Sequence, residues 1–381
     1  MFLEDTMDQI LKNREEKGRL RKLSLYDYLV DFSSNDYLSL SKNEGLKKAF
    51  LKEVKYCGKM GSGGSRLLDG NHSYIERLEV EISRFHNAPA GLIFNSGFDA
   101  NVSIFACVPQ PSDWIIYDEL IHASVHDGMK LSRAKNQLSF KHNSINALRE
   151  CLVKANHDTR NNIFIAVESV YSMDGDRAPL SEIVQLAKSF DKLRTYIIVD
   201  EAHATGVIGP NGRGLVSELG IENDIFIRLH TFGKALCSNG SIVLCSRMTR
   251  KYLINYSRPF IYSTSLAYPA LASIRASYKF LQTNEFSRLQ TRLWRKIHYF
   301  DKIYGSAEPS KSSIIGVICS NPKQLAALCK SRGILARPIV YPTVPKGKER
   351  IRVCIHANNT REQIAQLVNI LHNNILQPAK L

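Results

Sequence analysis

What most restricts this chain is a rhythm of short apolar runs. Residues 91–94, 114–117, 163–167, 196–199, 224–227 and 241–244 are rich in β-branched and aromatic side chains, and stretches with helical spacing, such as 181–190, separate them. Strands that alternate with helices pair through crossovers, which make them parallel, and helices then cover both faces of the sheet. The runs themselves are continuous rather than alternately polar, as strands buried on both faces must be. A mostly parallel sheet between helices is therefore expected. A chain of 381 residues exceeds the roughly 250 to 300 residues that one core organises, so a second, smaller domain is expected as well. Beyond about Thr283 the order changes to strand (314–318), helix (322–332), paired strands (336–340 and 351–355) and a terminal helix capped by Thr360 and Gln363, which reads as α+β. The expected layout is an amino-terminal arm over 1–45, a large domain over 46–282 and a small domain over 283–381. The arm reads as a basic amphipathic helix carrying Ile10, Leu11, Leu20 and Leu23, then a short edge strand at 30–32. Ser73 and Glu76 read as a capping box for a helix through Phe85.

Charge narrows the partners. Lysine and arginine number 51 against 36 acids, a net charge of +15, which suits nucleic acid, a membrane surface or a phosphate-bearing small molecule. The bases are scattered, and no zinc-finger spacing, RNP motif or block of like charge supports nucleic-acid binding; no bound metal is expected. The apolar runs are far shorter than the roughly 20 residues of a membrane helix, so no membrane insertion is expected. Eight cysteines form no CxxC pair, and Cys245 and Cys354 sit within strand-like runs, which reads as buried thiols in a reducing compartment. Residues 1–16 lack the apolar segment of a secretory signal, whereas Ala379-Lys380-Leu381 resembles the Ser-Lys-Leu type of peroxisomal address. A peroxisomal location through an import receptor is the expectation, with the cytoplasm as its alternative.

Ligands of open parallel sheets bind beyond the carboxyl ends of the strands, so the polar residues there are the ones to examine. Asp200 follows 196–199 and begins Asp200-Glu201-Ala202-His203, a pattern that by itself also fits a helix cap or a metal half-site. Thr231-Phe232-Gly233-Lys234 follows the run at 224–227. Gly97, after 91–94, would open a helix whose amides and dipole suit a phosphate. Glu168 to Ser172 follow the run at 163–167. Together these call for a cofactor with a phosphate, a ring that wants an anionic partner and a carbonyl that a lysine can capture; pyridoxal 5′-phosphate meets all three.

Here the sequence resembles the α-oxoamine synthases, pyridoxal-phosphate enzymes of the aspartate-aminotransferase-like fold type I. The likeness runs from Asp31-Phe32-Ser33-Ser34-Asn35-Asp36-Tyr37-Leu38 to Tyr341-Pro342-Thr343-Val344-Pro345. It includes Gly61-Ser62-Gly63-Gly64-Ser65-Arg66, Asp200-Glu201-Ala202-His203-Ala204-Thr205-Gly206 and Thr231-Phe232-Gly233-Lys234-Ala235. By that resemblance Lys234 binds the cofactor covalently and Asp200 keeps its ring nitrogen protonated. His122 stacks on the ring, and His203 bonds the phenolic oxygen with Ser172 nearby. Gly97, Phe98 and Thr231 contact phosphate and cofactor. Thr264 reaches the phosphate of a neighbouring subunit, which implies a homodimer with shared active sites. Asn35, Thr343 and Arg352 resemble substrate contacts, Arg352 holding the amino-acid carboxylate, and Arg21 lies at the acyl end. Within the family the motif variants point to the branch that condenses L-alanine with pimeloyl-CoA, rather than those that join succinyl-CoA or acetyl-CoA to glycine. The stretch Cys237-Ser238-Asn239-Gly240 departs from the family, whose members carry smaller residues there.

Overall fold

The computed structural model describes residues 2–155, 161–190 and 194–375. Among the described residues the strands are β1 (Val30–Asp31), β2 (Ala90–Phe94), β3 (Trp114–Asp118), β4 (Asn136–Phe140), β5 (Asn162–Glu168), β6 (Arg194–Asp200), β7 (Ile227–Thr231), β8 (Ser241–Cys245), β9 (Ile314–Ile318), β10 (Ile334–Leu335), β11 (Arg337–Ile339) and β12 (Arg350–Cys354). Seven of them form the main sheet, in the order β2-β8-β7-β6-β5-β3-β4, with only β8 running against the others. Side chains alternate between two apolar layers. Ile163, Ile165, Val167, Ile197 and Val199 face one, and Phe164, Ala166 and Ile198 face the other. Both faces are therefore dry, as the continuous apolar runs require.

A three-stranded antiparallel sheet, β11-β12-β9, forms beyond the long helix Asn284–Tyr304. β1, from the amino-terminal arm, pairs in parallel with β10. The terminal helix Arg361–Ile375 starts as expected: Thr360 N donates to Gln363 Oε1 at 2.9 Å and Gln363 N to Thr360 Oγ1 at 3.2 Å. All eight cysteines are free, with Cys245 and Cys354 buried. Among the described residues no helix is long and apolar enough to cross a membrane, and no cluster of three or more metal-ligating side chains occurs. Ala379-Lys380-Leu381 lies outside the described residues.

Three local expectations are corrected and one further strand is found. The strand expected at 224–227 begins where that reading ended: Glu222–Asp224 is a 3-10 turn, and β7 runs through Arg228 and His230 to Thr231. These two polar side chains are buried, and His230 meets Thr205 Oγ1 at 2.9 Å and the His86 ring at 4.0 Å between centroids, partners that local sequence does not announce. β4 was not anticipated, because a half-exposed edge strand reading Asn-Gln-Leu-Ser-Phe has little apolar signal. The arm helix ends at Glu16, with Gly18 left-handed at φ 59°, so Leu20 and Leu23 lie beyond it. The helix Ser73–Phe85 is capped by His72, whose Nδ1 accepts from Ile75 N at 3.3 Å; Glu76 instead accepts from Asn71 Nδ2 at 2.9 Å.

Candidate active site

The carboxyl ends of β3, β5, β6 and β7 lie side by side, and each ends in a polar residue: Asp118, Glu168, Asp200 and Thr231. Glu168 and Asp200 are direct neighbours across the parallel ladder. A cavity of about 270 Å³ opens above these ends, lined by Asp200, Lys234, His122, His203, Glu168 and Asn35 among others.

Asp200 is held as an acceptor on both oxygens. Ala202 N donates to Oδ1 at 2.9 Å, and Asn101 Nδ2 donates to Oδ2 at 2.8 Å. Asn101 also donates to Ser124 Oγ at 3.0 Å, and Ser124 Oγ lies 2.7 Å from His122 Nδ1. Ser124 N donates to the same Nδ1 at 3.2 Å, so the hydrogen of a neutral His122 ring sits on Nε2. Burial keeps that ring neutral, with Asp200 opposing. A neutral imidazole beside the cavity suits stacking on an aromatic ring.

Lys234 Nζ lies 3.0 Å from His203 Nε2, and His203 Nδ1 lies 2.7 Å from Tyr37 OH. Burial lowers the Lys234 amine from its usual value against the pull of Asp200 and Glu168. A lowered amine is more often uncharged, which is what attack on a carbonyl and proton removal require. Burial, then Lys234 and Arg352, keep His203 neutral.

Gly97 opens the helix Gly97–Cys107, capped by Ser96 Oγ accepting from Asp99 N at 3.0 Å. The free amides at the start of this helix border the cavity and suit a phosphate. A Cβ at Gly97 would come within 2.5 Å of Thr231 Cγ2, so glycine is what lets the helix start approach β7.

Arg352, 8% exposed, reaches the same region from β12. Its Nη2 donates to Asn35 Oδ1 at 3.0 Å and to Tyr37 OH at 3.4 Å, and its Nε donates to the Ser172 carbonyl at 2.6 Å.

The structure thus brings Asn35, Gly97, Phe98, His122, Asp200, His203, Thr231 and Lys234 to one cavity, with Arg352 bonded to Asn35. Ser172 is one step removed, with its carbonyl turned to Arg352. Thr264 is exposed and its carbonyl accepts from Asn95 Nδ2 at 2.8 Å, while Arg21 and Thr343 are exposed and line no part of the cavity in a single chain. Sequence reasoning assigned no role to Tyr37, Asn101 or Glu168. Asn101 stands one helical turn after Gly97, a spacing that carried the signal. Glu168 carried it as the last residue of an apolar run. Tyr37, fully buried, gave none. Glu168 Oε1 is buried without a partner, and burial together with Asp200 pushes its carboxyl well above the usual range. At the departure from the family, Cys237 adopts a left-handed φ of 50° and Asn239 lines the cavity.

An amine for an aldehyde, a fixed carboxylate to accept from a ring nitrogen and a helix start for a phosphate are the groups that pyridoxal phosphate needs. The profile described as aminotransferase class I and II matches residues 27–371, and the chain belongs to that family, whose cofactor is pyridoxal phosphate. Within it the chain is 48% identical to the 8-amino-7-oxononanoate synthase of Emericella nidulans, an alignment that spans 97% of this chain and 95% of that one. A solved 8-amino-7-oxononanoate synthase from Francisella tularensis superposes with a TM-score of 0.75 at 29% identity, over 91% of this chain and 98% of that chain. The Sphingomonas wittichii serine palmitoyltransferase has the same fold, with a TM-score of 0.87 at 24% identity over 98% of each chain.

Proposed function

We propose that the chain joins L-alanine to pimeloyl-CoA, releasing CoA and CO2 and yielding 8-amino-7-oxononanoate, a step of biotin synthesis. The observation that carries this reading is the near full-length 48% identity to a synthase of that name, together with one cavity that holds Lys234, Asp200, His122 and His203. Pyridoxal phosphate, when bound, supplies an electron sink for the charge that develops at the substrate α-carbon. Lys234 would hold the cofactor through Nζ and, with alanine bound, would remove and later return a proton at the same atom. Asp200 keeps the ring nitrogen protonated, so that charge is drawn toward the ring. His122, held by Ser124, would stack on the cofactor ring. Arg352 and Asn35 hold the alanine carboxylate and aim the bond to be broken. The positive charge of the chain suits a polyanionic thioester.

A CoA-release assay that crosses pimeloyl-, succinyl-, acetyl- and palmitoyl-CoA with alanine, glycine and serine tests the reading. The pimeloyl-CoA and alanine pair is expected to give the highest kcat/KM. A maximum with succinyl-CoA and glycine would transfer the chain to the aminolevulinate-forming branch.

Two further parts of the proposal concern assembly and address. A homodimer with shared sites fits the large apolar side chains left exposed in one chain, among them Phe98, which lines the cavity, and Leu68 and Tyr262 elsewhere on the surface. Residence in peroxisomes rests on Ala379-Lys380-Leu381. Deleting Leu381 is expected to leave activity unchanged while protein tagged at its amino end moves from puncta to diffuse cytosol; puncta that persist would reject the address.

A further inference from the structure

Beyond the cavity, a cluster of charged side chains gathers at the carboxyl end of β3. His142, in the loop after β4, lies between two carboxylates: Nδ1 is 2.9 Å from Asp118 Oδ1, and Nε2 is 2.7 Å from Asp176 Oδ2. Asp118 is fully buried at the end of β3. Asn143, left-handed at φ 53°, completes the arrangement. Its backbone N donates to Asp118 Oδ2 at 2.9 Å and its Nδ2 to Asp176 Oδ2 at 2.6 Å. Burial disfavours charge on His142, but the bonds to Asp118 and Asp176 outweigh it and raise the imidazole to about 10. The ring is therefore a standing cation, with the Tyr171 ring edge-on against it at 4.5 Å.

Asp176 belongs to the tight loop 170–177, which the Tyr171 N to Asp176 O and Gly175 N to Tyr171 O bonds close at 3.0 and 2.8 Å. This loop joins the large sheet to the sheet that carries Arg352. The Ser172 carbonyl accepts from Arg352 Nε at 2.6 Å, Asp174 pairs with Arg350, and the Gly175 carbonyl accepts from Ser312 Oγ at 2.7 Å. Where Gly175 passes Ile314, a Cβ would overlap the Ile314 carbonyl, so the loop is seated against β9 without slack.

We propose that Asp118, His142 and Asp176 form an ionic clamp that positions Arg352 for the substrate carboxylate by fixing the loop whose Ser172 carbonyl holds its guanidinium. The clamp rests on the reading of Arg352 as the carboxylate holder. His142 does not line the cavity, so it is a positioning residue. It acts on one substrate only, because the loop meets Arg352 and lines no part of the cofactor cavity.

The test uses the purified holoenzyme and steady-state kinetics for both substrates. His142→Gln and Asp176→Asn should each raise the alanine KM about tenfold, with kcat, the pimeloyl-CoA KM and the cofactor absorbance unchanged. The double variant should be no worse than either single one, since both remove the same interaction. Should His142→Gln fail to fold, Asp176→Asn, which keeps the side-chain shape, carries the test. A folded variant with an unchanged alanine KM, or a fall in kcat alongside equal rises in both KM values, would overturn the clamp. Arg352→Lys serves as the reference. Should its alanine KM stay unchanged, the assignment of Arg352 and the clamp fall together; should it rise while the clamp variants stay normal, only the clamp falls.

Discussion

Replacing Lys234 by alanine is expected to give a folded protein that no longer binds pyridoxal phosphate covalently and turns over at least on the order of 10⁴ times more slowly. The size of the effect follows from two duties converging on one atom. Nζ lies 3.0 Å from His203 Nε2 at the edge of the cavity, and its environment lowers the amine toward the neutral form that both carbonyl capture and proton transfer require. Among the described residues no other lysine lines the cavity. Borohydride reduction of the unmodified protein followed by peptide mapping is expected to place the label on Lys234. A label on another lysine, or turnover in Lys234→Ala within tenfold of the parent, would remove the residue from this role.

The second large effect is expected at Asp200. Asp200→Asn should keep the cofactor and its visible absorbance while turnover falls about 10³-fold, the scale seen when a group that stabilises developing charge is neutralised. The local geometry adds a structural cost. Both carboxylate oxygens accept hydrogen bonds, from Ala202 N and from Asn101 Nδ2. An amide has only one acceptor oxygen, so its NH2 must face one of these donors, and one bond is lost at about 1–3 kcal/mol. Because Asn101 links Asp200 to Ser124 and thence to His122, the disturbance also reaches the His122 imidazole at the cavity wall. Rates within threefold of the parent would contradict the pairing of Asp200 with the ring nitrogen. Loss of the cofactor itself would show that Asp200 holds the group more than it tunes it.

The layered fold and the strand exits were legible in the sequence for one physical reason. A strand dry on both faces must be continuously apolar, and the first polar residue after it stands at the carboxyl edge, where parallel sheets bind ligands. Asp200 and Gly97 were found that way, and the structure puts both at the cavity. The same rule misplaced β7, because Arg228 and His230 are buried beside partners that lie far away in the chain. It also passed over β4, whose half-exposed edge position leaves only Phe140 fully buried.

Sequence alone determined which segments are strands with two dry faces, which residues leave them, and, through long motifs, the cofactor family. Only the tertiary structure decided what stands behind those residues. Tyr37 braces His203 across 166 residues, Asn35 meets Arg352 across 317, and His142 is caught between Asp118 and Asp176. The arm strand β1 pairs with β10, some 300 residues on, by the same kind of closure. Apolar periodicity is a local property, because each residue's face follows from its neighbours' dihedral angles. A hydrogen bond between distant side chains depends on the path of the whole backbone, so nothing in a short window of sequence can announce it.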